Sequence, residues 1–423
     1  MTDLPPDLVA DLFRHRFARL VAGLCRVLGP GNLDLAEDVV QEAMLRALRS
    51  WPVDGVPDQP EAWLCRVARN LALDSLRRQR IGRRVEQELA AWATADDRTA
   101  GPEPDSIADD TLRMLFLASH PAVPADARVP LLLKTVCGFG VPAIARALLQ
   151  KDATIAQRLV RAKAKLQSGD VTFAMPDAAE MPARLDLVLQ VIYLVFNEGY
   201  RAHAGDTLLR CDLVDEAVRL TALLLEMPAT ARPEVHALLA LELLLGARSP
   251  ARTDSDGNLV PLAQQDRARW DRRWLSSGFV HFERSIGGDR LTPYHVEAAI
   301  ACAHASAPDY ATTDWPRILG HYDQLLALAP SPIVRLNRAV AVGKVHGPLA
   351  ARTELDALAA ERALDGYFLL SAVRAQMHWA LGEHAAAAAA LERAQALPCT
   401  EPEQRLLAAR LAAVRRGEPP PAW

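Results

Sequence analysis

An all-α fold of several modules is predicted by this sequence, on three observations. Half of the 423 residues are hydrophobic but only 5% are aromatic, and Ala and Leu, which lose little side-chain freedom in a helix, dominate. The chain is too long for one ordinary core, so several domains are expected. Polar, Pro- and Gly-containing breaks divide it accordingly. They predict small helical domains at 1–84 and 107–169, linkers at 85–106 and 170–182, and a large helical-hairpin domain at 183–416.

The cysteines and the apolar runs indicate the cellular compartment. The six cysteines are scattered without a Cys-x-x-Cys pair, which favours buried thiols in a reducing cytoplasm over a zinc site or a disulfide framework. The most apolar run, LDLVLQVIYLVF, contains Asp186 and Gln190 and is too short to span a bilayer. We therefore expect a cytoplasmic protein with no membrane partner, no metal and no cofactor.

Charge is distributed unevenly along the chain. Residues 1–170 hold 23 basic and 22 acidic residues, whereas 171–423 hold 25 and 30, so the formal charge of −4 lies mostly in the second part. Two basic clusters, 66–84 and 134–165, each contain seven Lys or Arg and one acid. Such clusters are what binding to a phosphate backbone requires, although solvated helix faces are the alternative interpretation.

The second basic cluster ends in an amphipathic helix. On a wheel, Ile155, Leu159, Ala162 and Leu166 form one arc. A separate arc is polar and cationic and carries Thr154, Gln157, Arg158, Arg161 and Lys165. Lys163 falls outside both arcs, and Asp152 is expected to cap the helix. With the short segment VPAIARALL before it, this helix predicts a helix-turn-helix able to enter a major groove, or else an ordinary helical hairpin.

The first basic cluster also predicts an amphipathic helix, within EAWLCRVARNLALDSLRRQR. Its cationic face comprises Arg66, Arg69, Arg77 and Arg80, with Asn70 adjoining. A Pro- and Gly-rich loop at 52–60 precedes it and is bracketed by Trp51 and Trp63.

An earlier helix, within DLAEDVVQEAMLRAL, carries acids on one side and apolar residues on the other. The apolar side is expected to contain Val39, Val40, Met44 and Leu48. Glu37, Asp38 and Glu42 could suggest acid–base chemistry, but nothing in the neighbouring sequence would desolvate them. Contacts to a partner, or plain solvation, are the expected roles.

The third block contains a short repeat. Ala339, Ala351 and Leu355 recur 36 residues later as Ala375, Ala387 and Leu391, with Gly347 and Gly382 at the turns. This spacing is typical of stacked helix pairs, which bind a peptide or protein or serve only as a structural stack. A segment near the start of the block, YLVFNEGY, offers Asn197, Glu198 and Tyr200 either as a ligand site or as buried capping and packing residues.

Three motifs resemble those of a known family. AEDVVQEAMLRALRSWP, PEAWLCRVARNLALDSLRR and GVPAIARALLQKDATIAQRLVRAKAKL resemble, in order, regions 2.2, 2.3–2.4 and 4.2 of bacterial sigma factors of the extracytoplasmic-function (ECF) class. The later segments YLVFNEGY, QDRARWDRRW, TDWPRILGHYDQLLAL and SPIVRLNRAVAV resemble the long, tetratricopeptide-like carboxy-terminal extension of one subgroup. The resemblance covers nearly the whole chain.

The resemblance implies a specificity subunit that binds promoter DNA and core RNA polymerase, the latter at the beta-prime clamp and the beta flap. It implies docking on the clamp by Asp38, Gln41 and Glu42. It implies that the minus-ten element is melted and read by the 52–60 loop and by Arg66, Arg69, Asn70, Asp74, Arg77 and Arg78. It implies that the minus-thirty-five element is read by Thr154, Gln157, Arg158, Arg161 and Lys165.

Two other classes of function compete with this interpretation. A DNA-binding regulator that acts without polymerase would leave residues 36–84 unexplained. An enzyme is disfavoured, because the sequence has no Gly-rich phosphate loop, nucleophile elbow or metal-ligand spacing, and because His281, His295, His304 and His321 are dispersed. The prediction is thus a non-catalytic sigma factor whose extension, 183–416, regulates it in cis or receives a signal from a protein or peptide partner.

Overall fold

The computed structural model describes most of the chain, and the described residues form eighteen α-helices and a few 3-10 turns, without a β-strand. This confirms the all-α prediction. The described residues are 6–79, 104–148, 150–168, 171–201, 208–362 and 364–421. Most of the predicted linker at 85–106 and part of the one at 170–182 therefore lie outside them. The chain divides into two compact units, Met1–Leu194 and Val195–Trp423.

The first unit begins with three helices, α1 (Pro6–Leu28), α2 (Leu33–Asp54) and α3 (Pro60–Gln79). Small residues along α2 and α3, such as Ala43 and Ala72, are fully buried and allow the two helices to pack closely. Gly29 and Gly55 follow α1 and α2 with positive φ angles of 80° and 87°, which glycine adopts without strain.

The ends of α2 differ from the sequence prediction. Helix α2 continues through Pro52 to Asp54, so the loop before α3 is shorter than the predicted 52–60. Proline is tolerated there because only the last turn of the helix is affected. Leu48 is 50% exposed, so the prediction that it lies on the buried side of α2 is wrong.

Four more helices complete most of this unit, namely α4 (Pro104–Ala118), α5 (Ala125–Thr135), α6 (Val141–Ala147) and α7 (Asp152–Gln167). Helix α7 packs on α5 and α6 through the predicted apolar arc, all of which is buried. Lys151, not Asp152, occupies the N-cap position of α7, so the predicted cap is wrong. Asp152 instead lies in the first turn, where its negative charge interacts favourably with the positive end of the helix dipole.

The boundary between the two units lies within α8 (Met181–Tyr200). The second unit continues with ten helices whose chain neighbours pack on one another. They are α9 (Cys211–Leu224), α10 (Pro233–Gly246), α11 (Arg272–Ser285), α12 (Pro293–Ser306), α13 (Trp315–Leu328), α14 (Pro332–His346), α15 (Pro348–Ala360), α16 (Phe368–Ala380), α17 (His384–Gln395) and α18 (Glu401–Arg415).

The repeat predicted in the sequence falls on two successive helix pairs, α14 with α15 and α16 with α17. All six of its Ala and Leu residues are at most 1% exposed. Gly347 and Gly382 lie at the two turns with φ angles of 89° and 76°. The small residues therefore serve close helix packing, while the tetratricopeptide-like description stays a prediction. None of the described helices is long and apolar enough to cross a membrane.

Candidate nucleic-acid interface

Helix α3 presents part of the predicted cationic face to solvent. Arg66, Asn70 and Arg77 are exposed, as is Asp74, whose carboxylate lies 4.0 Å from the Arg77 guanidinium. Arg69 is only 6% exposed, so the prediction that it shares this open face is wrong. Helix α3 packs on both α1 and α2, which explains why more of its circumference is buried than one apolar arc suggests.

Other parts of this face lie outside the described structure. The side chain of Arg78 and the whole of Arg80 belong to that part of the chain.

The loop between α2 and α3 is held at its base by two tryptophans. The Trp51 and Trp63 rings meet edge to face with centroids 5.6 Å apart, a geometry that stabilises aromatic pairs. Between them, Val53 is 83% exposed and Val56 54% exposed. A rigid base thus carries an exposed apolar tip beside a cationic helix.

The outer face of α7 is largely open. Gln157, Arg161 and Lys165 are exposed, Thr154 is partly exposed, and 22% of the Arg158 side chain is exposed. These five residues lie outside the buried arc, as the wheel predicts. A polar amide flanked by guanidinium groups can donate to base edges and to phosphate oxygens.

One acid beside this face was missed by sequence reasoning. Asp126 of α5 accepts a hydrogen bond from Arg161 at 2.9 Å, and the same carboxylate oxygen forms an ion pair with Arg158 at 3.1 Å. The free protein therefore neutralises part of its own cationic face. A helix wheel cannot find this residue, because it is 32 and 35 positions away in sequence.

The exposed face of α2 is both acidic and apolar. Asp38 and Gln41 are exposed, and Glu42 accepts from Arg46 at 3.0 Å. Leu45 is 39% exposed, and the exposed Leu48 continues the same face. A surface groove of about 500 Å³ beside it is lined by Asp34, Asp38, Glu42, Leu71, Ser75 and Gln167. Apolar side chains ringed by carboxylates are typical of a surface that binds a basic protein partner.

Glu37 differs from its acidic neighbours on α2. It is 6% exposed, and one of its carboxylate oxygens lies 2.8 Å from the ammonium group of Lys163, which also contacts Asp34 at 2.6 Å. The prediction that nothing desolvates Glu37 is therefore wrong. Burial alone would lower the pKa of Lys163, but the charge of Glu37 and hydrogen bonds to Asp34 and Glu37 outweigh burial and raise it.

The YLVFNEGY segment forms the end of α8. Glu198 is 8% exposed, while Asn197 and Tyr200 are partly exposed. The Tyr200 ring stacks on Phe196, and the Arg252 guanidinium lies 4.0 Å from the Tyr200 ring centroid and donates to its carbonyl oxygen. These contacts favour the packing interpretation of the segment over the ligand-site one.

A glycine in the same segment has a clear steric role. A Cβ atom at Gly199 would lie 2.7 Å from both the Cβ of Leu213 and the backbone nitrogen of Val214. Helix α9 therefore approaches α8 as closely as it does because position 199 has no side chain.

The described histidines do not assemble a metal site. Within the described ranges, no three His, Cys, Asp or Glu side chains are grouped to hold a metal ion. His281 instead meets His236, with a distance of 2.9 Å between their Nδ1 atoms. Burial, together with the neighbouring His236 and Arg284, lowers the pKa of His281 to about 4. Both rings are therefore neutral at neutral pH.

Comparison with known proteins assigns the chain to a class. Residues 13–81 match the family described as Sigma-70 region 2, and residues 184–286 match one described as a family of unknown function (DUF6596). An uncharacterized protein of Rhizobium meliloti (strain 1021) is 42% identical over 372 residues, 86% of each chain. No solved structure matches.

Named relatives match part of the chain. ECF RNA polymerase sigma factor EcfG of Rhodopseudomonas palustris (strain TIE-1) is 32% identical over 138 residues, which cover 33% of this chain and 72% of the relative. Probable ECF RNA polymerase sigma factor SigI of Mycobacterium tuberculosis (strain ATCC 25618 / H37Rv) is 29% identical over 174 residues, 41% of this chain and 59% of the relative. The helical fold and these matches define an RNA polymerase sigma factor. The chain belongs to the ECF family of these factors.

Proposed function

We propose that this protein binds core RNA polymerase and directs it to a bipartite promoter, with its carboxy-terminal extension regulating that activity. Membership of the ECF family makes the chain a transcription-initiation factor, a non-catalytic specificity subunit rather than an enzyme. The finer assignments below rest on the exposed residues of α2, α3 and α7. The domain boundaries at 84, 107, 169 and 183 belong to the same proposal.

Helix α7 is the proposed reader of the minus-thirty-five element. The observation that carries this role is the open polar face containing Gln157, Arg161 and Lys165, backed by a fully buried apolar arc. Gln157 would contact a base edge, while the cations would contact phosphates and fix the register of the helix in the major groove. Thr154 and Arg158 flank this set.

Helix α3 and the loop before it are the proposed readers of the minus-ten element. Exposed Arg66 and Arg77 supply positive charge, and Asn70 and Asp74 supply hydrogen-bonding groups. The segment between Trp51 and Trp63, which includes the end of α2, supplies exposed valines. Cationic surfaces with apolar or aromatic contacts suit the unstacked bases of a melted strand. Because Arg69 is buried, we assign it to packing rather than to DNA contact.

The acidic and apolar face of α2 is the proposed docking surface for the beta-prime clamp, through Asp38, Gln41 and Glu42. Asp38→Lys should weaken co-elution with purified core polymerase, because a lysine there would repel a basic partner. Glu226→Lys, at an exposed acid after α9, is the matched control and should leave co-elution unchanged. Equal binding of both variants would refute the assignment of this face. The beta flap is proposed to contact residues 107–169.

The DNA assignment has its own test. Arg161→Ala should lower promoter binding by the holoenzyme and reduce the salt dependence of binding by about one phosphate contact. Arg393→Ala, at an exposed arginine of α17, provides the control for loss of one positive charge. Normal promoter binding by Arg161→Ala would refute the role of α7. A chain that bound DNA but never co-eluted with polymerase would instead be a separate DNA-binding regulator.

The extension is proposed to regulate the sigma core in cis or to transmit a signal from a protein or peptide partner. A specific protease site inserted next to Pro176 would separate it from the sigma domains on demand, before α8 begins. Higher transcription after cleavage would indicate inhibition by the extension, and lower transcription would indicate a required domain. Unchanged transcription would refute regulation in cis.

A further inference from the structure

Within the first unit, ion pairs join the proposed minus-thirty-five helix, α7, to the proposed clamp-docking helix, α2. The Lys163 ammonium group of α7 lies 2.6 Å from Asp34 and 2.8 Å from Glu37, both on α2. The Lys163 side chain is only 14% exposed and that of Glu37 only 8%. Ion pairs with so little solvent contact are weakly screened and hold a defined geometry.

Glu37 depends on this contact. Its other carboxylate oxygen is buried and accepts no hydrogen bond from the described residues. A buried carboxylate without a cation is strongly unfavourable. Lys163 is therefore the group that offsets the burial of Glu37, and separating the two helices would require water to replace it.

Further contacts join the same parts of the unit. The end of α7 also contacts the turn after α1, since a Cβ atom at Gly31 would lie in ordinary van der Waals contact with the Cα of Gln167, at 3.6 Å. Arg26 of α1 lies 3.5 Å from Asp110 of α4, and the Lys134 ammonium of α5 lies 5.7 Å from the Phe17 ring centroid. These contacts support a closed arrangement of 1–79 with 104–168.

In the closed arrangement, the two proposed DNA readers lie too close together to contact both elements of the proposed promoter at once. The rise of α2 from Asp34 to Asp54 is about 30 Å, and that of α7 from Gln157 to Lys163 about 9 Å. With about 10 Å for the joining side chains, the two proposed DNA readers lie at most about 50 Å apart. Promoter elements about 25 base pairs apart span about 85 Å of straight B-DNA.

We propose that Lys163, Asp34 and Glu37 form a latch that keeps the free sigma core closed, and that binding of polymerase and promoter requires its release. This inference rests on the proposed function. The latch also occupies the α2 surface next to Asp38, so a basic group of the clamp could take the place of Lys163. Lys163, which has no assigned role in DNA contact, thereby becomes a regulatory residue.

The test is a distance measurement on the full free chain, with spin labels on Cys residues introduced at the exposed positions Val53 and Val160. The exposed Cys211 and the half-buried Cys399 would be replaced by Ser. The wild-type chain should give a single, short distance between the two spin labels. Lys163→Glu should give a second population with a longer label-to-label distance, because it places three carboxylates together. Lys163→Met, which retains the apolar stem, should also lengthen the distance and serves if Lys163→Glu does not fold.

Two further variants complete the test. The charge exchange Lys163→Glu with Glu37→Lys should restore the short distance, and Lys151→Ala, at the exposed N-cap of the same helix, should leave it unchanged. A short distance in the Lys163 variants, or a failed restoration, would overturn the latch.

Opening should be coupled to polymerase binding. The Lys163→Met chain should bind core polymerase about tenfold more tightly, because the apparent affinity rises with the fraction of the open form. Unchanged affinity despite a longer distance would overturn the regulatory role. If no variant bound polymerase while the distances changed as expected, the proposed function would fail and the closed contact would stand.

Discussion

Removing the carboxylate of Asp126 should strengthen promoter binding. In the free protein this one carboxylate holds both Arg158 and Arg161. Its side chain is 42% exposed and that of Arg161 is 52% exposed, so each pair contributes at most about 1 kcal/mol. Releasing both arginines from this competition should raise promoter affinity about fivefold, equivalent to about 1 kcal/mol. The folded state should lose a similar, small amount of stability.

The assay is promoter binding by holoenzyme reconstituted with Asp126→Asn, measured over a range of salt concentrations. Binding should also become more salt-dependent, by about 0.9 in the logarithmic slope for each additional phosphate that the freed arginines neutralise. Asp289→Asn, at an exposed acid between α11 and α12, gives the same chemical change outside the α7 face. An affinity and a slope equal to those of wild type would refute the reasoning that Asp126 competes with DNA.

Other predictions concern the extension. Burial raises the pKa of Glu242 to about 8. The folded state binds the Glu242 proton more tightly than the unfolded state does, so the stability that this group contributes is complete below about pH 4.5 and is lost as pH rises to about 8, by up to about 5 kcal/mol in all. About half of that loss, roughly 2–3 kcal/mol, falls between pH 6 and pH 9, where denaturant unfolding should show it. Glu242→Gln should remove this difference. The lowered pKa of His281 means that the folded state binds this proton less tightly than the unfolded state does, so acidification destabilises the fold. The melting temperature should therefore fall from pH 7 to pH 4, and it should fall less in His281→Asn. Gly347→Ala should destabilise the protein by about 1 kcal/mol, because Gly347 has a φ of 89° that alanine adopts only with strain. Gly320→Ala should stabilise it by a similar amount, because Gly320 lies in open space on the helix α13. Equal effects of the two substitutions in thermal unfolding would contradict the backbone argument.

Helix periodicity predicted most of the fold and the orientation of α7. The four apolar residues of α7 are buried and Gln157 is exposed because one helix face packs on α5 and α6 while the other meets solvent. Such an arrangement matches the assumption behind a helical wheel. The repeat glycines at 347 and 382 were also predictable, since each sits at a turn and adopts a positive φ.

The same reasoning failed where a helix contacts more than one neighbour or ends at a surface. Arg69 is buried because α3 packs on both α1 and α2. Leu48 is exposed because the apolar arc of α2 extends beyond the part that its neighbours cover. A wheel records the direction of each side chain but not the number of neighbouring helices.

The long-range ion pairs also could not be predicted from the sequence. Lys163 and Glu37 are 126 positions apart, and although the wheel separates Lys163 from Lys165, it does not indicate which residue Lys163 contacts. Asp126 is likewise distant from the two arginines it holds. Such pairs are set by the packing of whole helices, and the chemistry of either residue alone suits many partners.

Transcription with purified components would show whether this chain directs RNA polymerase to bipartite promoters. The full chain would be added to core polymerase on fragments of the genome from which the chain comes, and run-off transcripts would be mapped to their starts. We predict new transcripts from a limited set of promoters that share two elements, and every transcript should depend on the added chain. Failure to stimulate transcription from any genomic promoter, by wild type and by the Lys163→Met chain alike, would contradict this prediction.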